Sequence, residues 1–136
     1  MADRSLEWEV EHIPESDFLF RRVHLNYLDK EDIDFIPPAT FRVSGEGISV
    51  EWEKYATATE SLKRAYESNK NGIIQIKTGD VRNIEPLNVI HSPLKENRAH
   101  SNIIGLENLS KSQKIKVRFK LSQYASWVIK IKLSET

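Results

Sequence analysis

Cysteine is absent from all 136 residues. That excludes a disulfide framework, a thiolate zinc site and a cysteine nucleophile together, and leaves any metal to His and carboxylate ligands. No apolar run approaches the roughly 18 residues that a membrane span needs. The stretch from Met1 to Glu11 carries acidic residues where a secretory signal would have an apolar core. A protein of the reducing cytoplasm, with no membrane association, is the expectation. Glycine is sparse and forms no phosphate-cradling loop, and no serine lies in a Gly-x-Ser-x-Gly elbow. Ser92 and Ser101 therefore neighbour histidines without completing a triad.

The length suits one domain, residues 1–136, with a core large enough to need no metal or disulfide staple. Net charge is zero, yet residues 1–60 hold fourteen Asp/Glu against six Lys/Arg and residues 61–136 reverse those numbers. The basic extreme runs from Leu109 to Leu133, with Lys111, Lys114, Lys116, Arg118, Lys120, Lys130 and Lys132 and no acidic residue. Either the two halves complement each other inside one fold, or the basic half meets an acidic protein or a nucleic acid.

Phe18 to His24 has strand composition after a turn-forming Glu15-Ser16-Asp17, which sends Arg21 and Arg22 to opposite faces. Pro37-Pro38 ends an acidic loop. Thr40 to Val43 and Ile48 to Trp52 then read as a hairpin around Ser44-Gly-Glu-Gly47. Thr57-Ala-Thr-Glu60 is a capping box, and Leu62, Ala65 and Tyr66 extend it as a helix over 58–68. Gly72 to Thr78 reads as a central strand, a Gly79-Asp80 turn follows, and Pro86 to Ile90 reads as a further strand. Alternation through Ile115, Val117, Phe119 and Leu121, and again from Trp127 to Leu133, predicts a C-terminal hairpin with its lysines in water. A helix through Leu121, Tyr124, Ala125 and Val128 competes with it. The fold expected is a single α+β domain with a twisted mixed or antiparallel sheet of about five to seven strands. One clear helix and a short helix after Asn97 complete it.

Chemically capable side chains concentrate between His91 and Gly105. His91 and His100, with Pro93 between them, invite acid and base roles or metal binding near neutral pH. Their spacing is not the i, i+4 of helical metal sites, Glu96 is the nearest third ligand, and no metal is assigned. The alternative is a pair of hydrogen-bonded loop residues, with Asn97 capping a helix start. Arg21, Arg22 and His24 form a second cluster whose guanidiniums suit a phosphate or carboxylate, joined by Arg82 and Arg98. Ion pairing with the acidic 29–34 loop is the alternative there. The binding set is thus Arg21, Arg22, His24, His91, Asn97, Arg98 and His100, with Arg22, His91 and His100 the catalytic candidates.

Taken in order, Phe20-Arg-Arg-Val-His24, Phe41, Ile48-Ser-Val50, Thr59-Glu-Ser-Leu62, Gly72-Ile-Ile74 and His91-Ser-Pro-Leu-Lys-Glu-Asn-Arg-Ala-His100 resemble a small uncharacterised bacterial domain with a His-x-Pro-Leu-x-x-Asn-x-Ala-His segment. The likeness covers about residues 18–105 and implies a stand-alone bacterial fold. A fainter resemblance is to ADP-ribosyltransferase-type folds, in which Arg21 or Arg22, Ser49 and Glu96 would take the Arg, Ser and Glu positions. The Ser-Thr-Ser run usual there is missing. No cofactor is implied. The leading expectation is a noncatalytic module or accessory protein that selects another macromolecule, most simply a protein, by charge. An enzyme or nucleotide-binding protein acting on a phosphate-bearing substrate is the first alternative. Nucleic-acid binding through Lys114, Lys116, Arg118 and Lys120 is the second.

Overall fold

Aromatic and branched side chains make Phe18–His24 the first strand, β1, as its composition requires. In the computed structural model, which describes residues 8–132, β1 lies near the middle of an antiparallel sheet. Its neighbours are β2 (Ile48–Trp52) and β3 (Asn71–Lys77); β5 (His100–Ile104) and β4 (Asn88–His91) extend the sheet past β2, and β6 (Ser126–Ile129) extends it past β3. The order β4-β5-β2-β1-β3-β6 gives six strands and, with three α-helices, an α+β fold. No helix of the described residues is long and apolar enough to cross a membrane.

One sheet face is apolar. Leu19, Val23, Ile48, Val50, Trp52, Ile74, Ile76, Val89 and Ile103 pack there in one core with Phe41, Val117 and Leu121. Each fully buried aliphatic contributes about 1.5–3 kcal/mol relative to exposure, before conformational entropy is counted. The other face carries Phe20, Arg22, Ser49, Glu51, His100 and Asn102. Helix α1 (Ala58–Lys63) covers only its β1–β3 side, so the β2–β5–β4 side is left open.

Several elements differ from the expectation. The stretch from Lys111 to Tyr124 is helix α3, not a hairpin arm. Ser110 and Gln113 form a capping box at its start, and the buried positions are Val117 and Leu121, one helical turn apart, while Ile115 and Phe119 are 58% and 48% exposed. The run satisfies both periods, and the cap decides. The second arm does form a strand, β6, but it pairs with β3; Leu133 lies outside the described residues. Pro38–Phe41 is a 3-10 turn with proline in its first turn, not a strand, so only Ser44 and Gly47 pair ahead of β2. Helix α1 stops at Lys63, well short of 68; its buried residue is Ser61, and Tyr66 is 99% exposed. Thr78–Arg82 is a short helix, α2, where a turn was expected. No helix follows Asn97: its side-chain oxygen accepts from the Ala99 amide and starts a turn into β5. β3 is interior but stands between β1 and β6, off the centre.

Candidate ligand-binding groove

Antiparallel register sets the groove. Glu51 stands directly opposite His100 on one side and Phe20 on the other, and Ser49 stands opposite Asn102. Period two then places Ser49, Glu51, His100 and Asn102 together on the open face, while Ile48, Val50 and Trp52 point into the core. Side walls come from α1, through Ser61 and Arg64, and from the β4–β5 loop, through Leu94 and Asn97. The enclosed space is about 500 Å³.

Glu51 is the centre of this arrangement. Its carboxylate accepts from the Ser61 hydroxyl, from Asn97 Nδ2 at 2.6 Å and from Arg64 Nη1 at 3.0 Å, with Arg22 Nη1 at 3.6 Å. Burial pushes its pKa up, but the Ser61 and Asn97 hydrogen bonds and the two guanidiniums together outweigh burial and hold the pKa below the ordinary 4.5. The group is an anion at neutral pH. It fixes two arginines side by side, each using one terminal nitrogen on protein oxygens. Both are about one third exposed, at 36% and 35%. Two cations against one anion leave the groove with net positive charge, and the planar forks suit a phosphate or carboxylate.

His100 borders the same space. Its Nδ1 lies 2.9 Å from the Ser92 carbonyl, which only accepts, so Nδ1 carries a hydrogen and Nε2 is the nitrogen turned toward Ser49. Ser49 Oγ lies 3.5 Å from that nitrogen. A base oriented by a backbone carbonyl, a hydroxyl beside it and paired guanidiniums beyond make a proton-transfer site next to an anion site.

No protein-family model, curated protein or solved structure matches the chain. The function therefore rests on this geometry.

Of the residues singled out from sequence, Arg21, Arg22, Asn97 and His100 line the groove, Arg21 with its guanidinium engaged on backbone carbonyls. His91 lies on the core side of β4, opposite Ser101, with its ring against Trp52 and Tyr55. Nδ1 accepts from the Glu11 amide and Nε2 donates to the Arg98 carbonyl at 2.7 Å, so both nitrogens are used. Arg21 points away from Arg22 and donates to the Thr40 and Ser49 carbonyls; burial, then Arg22, lowers its pKa to about 10, which still leaves it charged near neutrality. His24 bonds Glu67, Arg98 stacks on Tyr55 and Trp8, and Arg82 holds the Ile13 and Val89 carbonyls, all away from the groove. Arg22 pairs with Glu51, whereas the acidic loop's Asp34 meets Lys130. Glu96 is an exposed turn residue outside the groove. Among the described residues no cluster of three or more His, Asp or Glu side chains suits a metal. Sequence reasoning missed Glu51, Ser61 and Arg64. The signal for Glu51 was present: Ser49 and Glu51 are the polar half of an alternating strand.

Proposed function

We propose that the protein binds a phosphate-bearing small molecule in the Glu51 groove and acts on it, with His100 as the base. The carrying observation is the pair Arg22 and Arg64, held on one buried carboxylate beside the His100 imidazole, whose Nε2 lies 3.5 Å from Ser49 Oγ at the edge of the same space. The reaction class this supports is attack of a hydroxyl or water on a phosphate ester. His100 Nε2 takes the proton of the attacking oxygen, the guanidiniums balance charge on the phosphoryl oxygens, and the leaving oxygen takes its proton from solvent. Calorimetric titration with inorganic phosphate and with ribose 5-phosphate tests the binding. Arg64→Ala is expected to weaken both about tenfold, the loss of one charge-assisted contact. His100→Gln is expected to leave binding in place and abolish turnover of any ester that is hydrolysed. No heat with either compound up to millimolar concentration would reject the reading.

A second reading is favoured by α3, whose exposed face sets Ile115 and Phe119 among Lys111, Lys116 and Lys120. Apolar anchors rimmed by one sign of charge fit an acidic partner protein, making the chain an interaction module of the cytoplasm. Lys116→Glu with Lys120→Glu would then abolish co-purification of that partner from the native host. Binding that instead follows added nucleic acid, and falls steeply with salt, would move the surface to phosphate-backbone recognition.

A further inference from the structure

A second cavity, of about 670 Å³, opens beside the groove and shares Ser49, Leu94 and His100 with it. Its chemistry differs. Val10, Ile90, Pro93 and Leu94 supply an apolar lining where the first compartment has arginines, and Asn102 reaches it from β5. Asn102 is only 3% exposed, lines this cavity, and stands between Ile90 and Ser49 in the sheet register. An amide on an apolar wall presents a donor and an acceptor side by side. That pair matches the edge of a nucleobase, whose flat faces suit the aliphatic lining.

Register explains why the two compartments form one site. Ile90, Asn102 and Ser49 stand in one row across β4, β5 and β2, and His100 and Glu51 stand in the next row. A ligand lying across the rows would place its base against Ile90 and Asn102, its phosphate against Arg22 and Arg64, and the linking sugar over His100.

We infer that the phosphate-bearing ligand is a nucleoside phosphate, with its base in the Asn102 compartment and its phosphate in the Arg22–Arg64 compartment. The inference rests on the proposed function, since it takes the anion site as given and names what is attached to the anion.

Calorimetry on the full chain separates the two. The probes are inorganic phosphate, ribose 5-phosphate and the monophosphates of adenosine, guanosine, cytidine and uridine. At least one nucleoside monophosphate is expected to bind about tenfold or more tighter than ribose 5-phosphate, the gain of one bidentate base contact and its apolar burial. Asn102→Ala is expected to erase that gain while leaving the affinity for inorganic phosphate unchanged. Ile90→Asp, at a half-exposed position where folding is not at stake, is expected to do the same. Equal affinity for ribose 5-phosphate and every nucleoside monophosphate, with phosphate binding intact, overturns the inference alone. Loss of phosphate binding in all forms overturns it together with the anion site.

Discussion

At the scale of single residues, His91 and Glu51 carry opposite lessons about buried polar groups. His91 is buried with both nitrogens satisfied by backbone, so His91→Phe keeps the aromatic packing but strands the Glu11 amide and the Arg98 carbonyl. Urea unfolding is expected to show a loss of about 3 kcal/mol, since each stranded group costs about 1–3. Phosphate affinity should stay unchanged, because the ring faces the core side of β4. Glu51→Gln removes a charge that two arginines and two neutral donors stabilise, and its expected cost at neutral pH is about 2 kcal/mol. The arginines are partly exposed and recover water, which keeps the loss below that of a fully buried pair. The sign with pH follows from the depressed pKa. A carboxylate held below its ordinary 4.5 contributes stability above that value and loses it as pH falls through the folded value. The difference between wild type and Glu51→Gln should therefore be constant above about pH 5.5 and shrink on acidification.

Helices α1 and α3 both open on a capping box, yet only one of them touches the groove. Thr57→Ala and Ser110→Ala should each cost about 1 kcal/mol of stability in thermal or urea unfolding. Only Thr57→Ala should also weaken phosphate binding, because loosening α1 frees Ser61 and Arg64 from Glu51. Within α3, Leu121→Ala should cost about 3 kcal/mol and Ile115→Ala less than about 0.5, a contrast that a hairpin with both residues on one face would not give. The same elements explain what was legible in the chain. β1 and the capping box of α1 were readable because each rests on a local pattern with one interpretation. α3 was not, since Ile115 to Leu121 satisfies periods of two and of near four; its Ser110–Gln113 cap was the local sign passed over, and packing against Phe41 and β3 buries Val117 and Leu121. Arg22 and His100 were visible as reactive residue types. Glu51 was visible as the polar half of an alternating strand, but its role was not, because that arises from strand order: β5 and β1 flank β2 only in the folded sheet.

For the molecule as a whole, the segment around Glu11 acts as a strap that ties distant parts of the chain together. Glu11 bonds Lys54 at 2.7 Å and the Tyr55 hydroxyl, and reaches Arg98 at 3.4 Å, while its amide donates to His91. Val10 beside it lines the second cavity, so the strap completes a site whose other residues come from β2, β4, β5, the turn before β2 and the β4–β5 loop. Hydrogen bonds from Lys54 and then Tyr55 bring the Glu11 pKa down from the ordinary 4.5 to about 2. A depressed carboxylate holds the strap fully above pH 4.5 and releases it as pH falls toward about 2. Amide exchange at residue 11 reads this directly, because its protection reports opening of the strap more than of the sheet. Protection of that amide should fall between pH 4.5 and 2 while the β1–β3 amides stay protected. In Glu11→Gln, which keeps the shape and loses the charge, protection should already be low at neutral pH and should not change across that interval. If residue 11 and the β1–β3 amides lost protection together at every pH, the strap would be part of one global unfolding unit, and its separate role in closing the second cavity would be excluded.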